Sequence, residues 1–172
     1  MEVLADALAL IDDREPVDLI VQPGVLDRDR GMPRERLDEI LVVRHENEIS
    51  GTTDIAERPE FAARRTTKVI DGVTHTGWFT EDFTLAELKT LRCKERIPDL
   101  RPANVALNGI EQILTLDEVL DIAETAGGEA PAGVYIETKH PTYFEGLGIS
   151  LNDLLIETLE RRTHQLKQVE RQ

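Results

Sequence analysis

Two short stretches carry side chains suited to acid–base or phosphoryl chemistry. Along Val134 to Lys139 the side chains alternate, so Tyr135, Glu137 and Lys139 share one strand face and Val134 and Ile136 the other. A carboxylate and an ammonium at the carboxyl end of an inner strand sit where barrel enzymes place their working groups. The alternative reading is an ion pair facing solvent. His45 closes the run Ile40-Leu41-Val42-Val43-Arg44 and shares a face with Leu41 and Val43. A histidine there can give or take a proton near neutral pH, or serve as a hydrogen-bonded structural residue.

The remaining candidates are weaker. His75 lies in a polar stretch expected to be a loop, His140 precedes Pro141 at a strand exit, and His164 falls on the exposed side of the last helix. No two histidines have the i, i+4 spacing of a helical zinc motif. Cys93 lies between Arg92 and Lys94, which would lower its pKa; without a base beside it, it reads as an incidental thiol. The sequence contains no P-loop, G-x-G-x-x-G or G-x-S-x-G.

Elements that could position these groups follow from periodicity. Residues 2–13 read as an amphipathic helix and 17–21 as a short buried strand. The charged stretch 27–39 reads as an exposed loop or a solvated helical turn, and 40–45 is the clearest strand. Residues 47–83 form a long excursion of little periodicity, the kind of stretch that often carries function. Thr84-Leu85-Ala86-Glu87 and Thr115-Leu116-Asp117-Glu118 each spell a capping box, and Ser150-Leu151-Asn152-Asp153 opens a third helix. Helices alternating with apolar strands predict an α/β domain with a parallel sheet.

Composition narrows the partners. The 172 residues carry 20 Lys+Arg against 34 Asp+Glu, a formal charge of −14 that repels nucleic acid and anionic surfaces. A single cysteine excludes an internal disulfide. No apolar run reaches the ~18 residues of a membrane span, no signal peptide is legible at the N-terminus, and the compartment is not encoded in these features.

Four segments, in order and at matching spacing, resemble the glycerophosphodiester phosphodiesterases: Leu41-Val42-Val43-Arg44-His45-Glu46, Asp82-Phe83-Thr84-Leu85-Ala86-Glu87-Leu88-Lys89-Thr90-Leu91, Thr115-Leu116-Asp117-Glu118-Val119-Leu120 and Tyr135-Ile136-Glu137-Thr138-Lys139. The resemblance covers about residues 40–160. It implies a metal-dependent (β/α)8 barrel that hydrolyses glycerophosphodiesters to glycerol 3-phosphate and an alcohol. It places His45 at a catalytic histidine, Glu137 at a ligand of Mg²⁺ or Ca²⁺, and Lys139 at a phosphate-neutralising lysine. The family's opening His-Arg-Gly is absent, and Val21-Gln22-Pro23 stands where its metal-binding Glu-x-Asp is expected. Glu46 replaces the aspartate that usually follows the histidine.

The expectation is one incomplete barrel domain over residues 1–172, missing the family's start and end. Its strands near 17–21, 40–45 and 133–138 should run parallel, with helices 84–91, 115–124 and 151–166 outside. His45, Glu137 and Lys139 should meet at one mouth. Leu41, Val43 and Tyr135 should lack cover, and the open sheet edges should favour self-association. Activity is expected to be impaired. The alternatives are an inactive fragment and an acidic interaction module on the same scaffold.

Overall fold

The computed structural model describes residues 17–25, 39–126 and 133–169. The helix expected over 2–13 and nearly all of the charged stretch 27–39 lie outside those residues. Strand β1 (Val17–Val25) sits centrally in a three-stranded sheet between β2 (Glu39–Val43) and β5 (Val134–Thr138). A separate hairpin is formed by β3 (Thr66–Ile70) and β4 (Val73–Gly77). The helices are α1 (Leu85–Thr90), α2 (Leu116–Ala126), α3 (Pro141–Gly146) and α4 (Leu151–Val169).

The sheet departs from the parallel expectation. β1 runs parallel to β5 but antiparallel to β2. Its first half pairs with β5, from Val17 opposite Val134 to Val21 opposite Thr138. Its second half pairs with β2, from Val21 opposite Val43 to Val25 opposite Glu39. Val21 is therefore the shared row at which the carboxyl ends of β2 and β5 meet from opposite directions. The offset also explains Pro23: proline cannot donate to a ladder, and beyond Val21 only β2 flanks this strand. The far edge of β2 is not open, because Val43 N donates to Leu114 O at 2.8 Å and Val42 bridges to Thr115. No closed barrel is formed by the described strands.

β2 separates two apolar clusters because neighbouring residues of a strand face opposite ways. Leu41 packs with Val21, Leu116, Leu120, Phe144 and Leu151, and Val42 with Ile49, Phe61, Trp78, Phe83 and Leu88. Leu41 is thus fully covered, contrary to expectation, Val43 is half-buried, and Tyr135 is exposed. From α4, Leu154 and Leu155 pack onto the first cluster, while Leu159 is exposed.

Both capping boxes form. Thr84 Oγ1 accepts from Glu87 N at 3.2 Å and the Glu87 carboxylate answers Thr84 N at 2.9 Å; Thr115 and Glu118 repeat the exchange at 3.2 and 2.8 Å. Glu87 also takes a two-pronged contact from Arg64 at 2.8 and 2.6 Å. The Arg64 hydrogen bonds outweigh partial burial and hold the Glu87 carboxyl at about 2, well below its ordinary 4.5. A carboxyl depressed by folding stabilises above its unfolded pKa and loses that contribution as pH falls through the folded value. Glu87→Gln is expected to cost about 1–2 kcal/mol at pH 7, allowing for solvent screening of the half-exposed pair. In urea melts the difference from the native chain should shrink between pH 4.5 and 2; a constant difference would count against the pair.

The excursion 47–83 is more ordered than its sequence suggests. It contains 3-10 turns at Ile55–Glu57, Pro59–Arg64 and Thr80–Asp82 and the β3–β4 hairpin. The hairpin turns at Asp71-Gly72, both with positive φ (50° and 81°), the conformation that Asp-Gly favours in two-residue hairpin loops. His75, expected in a loop, lies in β4.

Candidate functional site

β2 ends at Val43, and the chain then lays Arg44, His45, Glu46, Asn47 and Glu48 along the rim of a cavity of about 570 Å³. β5 ends at Thr138; from the other side of Val21, His140 joins the same rim and Lys139 reaches the Glu46 carboxylate on it. The meeting point is the Glu46 carboxylate. One of its oxygens lies 2.9 Å from His45 Nδ1 and 3.6 Å from Lys139 Nζ; the other lies 2.9 Å from His140 Nε2. Partial burial would raise the Glu46 pKa, but the His140 hydrogen bond and the Lys139 charge carry it below the ordinary value. Glu46 is ionised at neutral pH and holds three basic side chains together.

His140 is the residue that the sequence undervalued. Its second nitrogen, Nδ1, lies 2.6 Å from Asp71 at the hairpin tip, so this one ring ties the hairpin to the strand ends. Carboxylates only accept, so satisfying both contacts takes both ring N–H groups. These contacts also hold His140 in a left-handed backbone conformation (φ 57°), unusual for any residue but glycine.

Behind the rim, Glu81 is buried. Its carboxylate accepts from Asn47 Nδ2 at 3.2 Å, Lys68 Nζ at 2.8 Å and Tyr143 OH at 2.8 Å. Asn47 follows Glu46 and Tyr143 follows His140 by three residues, so Glu81 fixes both halves of the rim. The Glu48 carboxylate accepts from Ser50 N at 2.9 Å and Trp78 N at 3.3 Å, and a Cβ at Gly77 would overlap it. Glycine is required there by close approach. Cys93 is not an activated thiol: burial pushes its pKa up, and the nearby Arg44 only partly offsets this.

The structure thus brings His45 and Lys139 onto one carboxylate. Glu137 is exposed on the face of β5 opposite the one that Val134 and Ile136 pack against the first cluster, and its carboxylate makes no hydrogen bond or ion pair among the described residues. No group of three or more His, Cys, Asp or Glu among the described residues is arranged to hold a metal ion. The rim carboxylates also argue against a divalent cation there, since Glu46 already faces Lys139 and two histidines. These residues do not fit Mg²⁺ or Ca²⁺. No helix among the described residues is long and apolar enough to cross a membrane.

Fold and site together define a mixed α/β protein with a polar, cation-rich cavity where two strand ends converge. No protein-family model matches the chain. It is 37% identical over 129 residues to Glycerophosphodiester phosphodiesterase GDPD6 of Arabidopsis thaliana, a match covering 72% of this chain and 33% of the relative. The chain belongs to the glycerophosphodiester phosphodiesterase family, a family of phosphodiester hydrolases, and it spans about a third of the length of that relative.

Proposed function

We propose that this chain binds glycerophosphodiesters at the rim cavity and hydrolyses them to glycerol 3-phosphate and an alcohol, on part of a (β/α)8-type scaffold. The supporting observation is the placement of His45 Nδ1 and Lys139 Nζ against the same Glu46 oxygen. Water attacks phosphorus and the bond to the alcohol oxygen breaks. The departing alkoxide takes a proton from His45, and the proton shed by the water passes to solvent. Lys139 offsets charge on the phosphoryl oxygens. Glu46 orients the imidazole and anchors the ammonium. Glu137 takes no part in this scheme, and any metal ligation by it would require partners outside the described residues.

A second reading is a family member that binds diesters without hydrolysing them. It is favoured by the full engagement of Glu46 with basic groups and by the lack of a three-ligand metal group among the described residues. Glycerol 3-phosphate release, measured beside calorimetric binding of glycerophosphocholine, separates the two. His45→Gln is expected to slow release about 10²–10⁴-fold while changing affinity only a few-fold. Binding without release from the native chain would establish the second reading, and absence of both would remove the function from this site.

A further inference from the structure

One wall of the cavity carries guanidinium groups that the reaction alone does not require. The cavity lining includes the guanidinium groups of Arg44, Arg96 and Arg101, and Lys139 contacts Glu46 on the same lining. None of the three makes an ion pair among the described residues, in a chain with 34 acidic and 20 basic side chains. Arg44 is half-buried; it donates to Thr52 O at 3.3 Å and contacts Cys93 Sγ at 3.5 Å, while its Nε is buried with no acceptor. Such a donor costs stability unless something accepts from it. The acidic residues on the same lining are all engaged. Glu46 holds His45, Lys139 and His140; Glu48 accepts from Ser50 and Trp78; Glu95 accepts from Ile97 N and Asn104 Nδ2, both at 2.9 Å. Lys94 is neutralised by Glu57.

Arg101 is partly offset by the Glu95 carboxylate, whereas Arg44 and Arg96 form no ion pair among the described residues. Among the described residues the lining contains no Phe, Tyr or Trp, the rings that build a cage for a quaternary ammonium. Guanidinium groups are suited to oxyanions, which they hold through paired N–H donors.

We propose that Arg44, Arg96 and Arg101 form a second anion subsite, which selects glycerophosphodiesters whose alcohol portion carries its own phosphoryl or carboxylate group over those carrying a cationic amine. The inference rests on the function proposed above and adds the substrate class. The diester phosphate lies by Lys139, and the second oxyanion lies against the arginine wall.

Calorimetric titration at low salt tests it with bis(glycerophospho)glycerol (a second phosphoryl group), glycerophosphoserine (a carboxylate) and glycerophosphocholine (a cation). At least one anionic probe should bind about tenfold more tightly than glycerophosphocholine, and which one does so distinguishes phosphoryl from carboxylate. Arg96 and Arg101 are exposed, so Arg96→Gln/Arg101→Gln should fold as the native chain does. In that double variant the tenfold preference should fall toward parity, whereas Lys139→Gln should weaken all three probes alike. Equal binding of all three probes by the native chain would overturn the proposal and leave the family function standing. So would an equal loss for all three in the arginine variant, because the arginines would then be holding the diester phosphate. Binding of no probe at all would remove both the subsite and the function beneath it.

Discussion

Glu81→Ala is expected to lower stability by about 3–5 kcal/mol, the scale for breaking a buried ion pair while leaving its partners in place. The carboxylate is 1% exposed and accepts from Asn47, Lys68 and Tyr143. Lys68 keeps Asp82 at 2.7 Å, but Asn47 loses the acceptor of its amide and Tyr143 loses that of its hydroxyl. Both sides of the rim then lose their common anchor, so diester binding should weaken although Glu81 touches no ligand. Glu81→Gln, which keeps the volume, should cost less. Urea denaturation of the two variants checks the ranking, and equal costs would mean that volume, not the ionic hydrogen bonds, matters at this position.

Phe83→Ala is expected to cost a further large amount, about 3–5 kcal/mol, by leaving a cavity in the second apolar cluster. Phe83 is fully buried, meets Phe61 edge-on with ring centroids 5.3 Å apart, and carries the Arg64 guanidinium 5.0 Å above its ring. Its loss also loosens Arg64, and with it the clamp on Glu87 that closes the first capping box. Phe83→Leu keeps most of the volume and should cost roughly 1–2 kcal/mol. Thermal melts should separate the alanine variant from the native chain by about 10 °C; a shift under a few degrees would show that the cluster can collapse around the gap.

Sequence reasoning succeeded where the determinants are local. Thr84 with Glu87 and Thr115 with Glu118 are three residues apart, and both pairs cap helices as their spacing requires. Strands β2 and β5 were legible from apolar, β-branched residues, and His45 and Lys139 from their places at the strand ends. The direction of β1 was not legible, because a strand's residues do not record which neighbour it pairs with or which way that neighbour runs. The β3–β4 hairpin was missed for another reason. Most of its residues face solvent, so it lacks the alternation that marks a half-buried strand, although Asp71-Gly72 was a usable turn signal. His140 was undervalued because its partners Glu46 and Asp71 lie 94 and 69 residues away. The long stretch before Trp78 hid order of the same non-local kind, in which Arg64 reaches Glu87 across 23 residues.

The split pairing of β1 makes the width of the cavity mouth a matter of register. β2 and β5 each take their place in the sheet from β1, and Val21 is the row they share. A slip of β1 by two residues against one neighbour alone would preserve every side chain's facing and every kind of ladder bond, yet would displace that strand end by about 6.6 Å. Glu46 and His140, now 2.9 Å apart, would separate and carry His45 away from Lys139. Alignment of His45 with Lys139 is thus set by a choice among near-equivalent pairings of one nine-residue strand, and the Glu46–His140–Asp71 contacts act as the vernier that selects one of them.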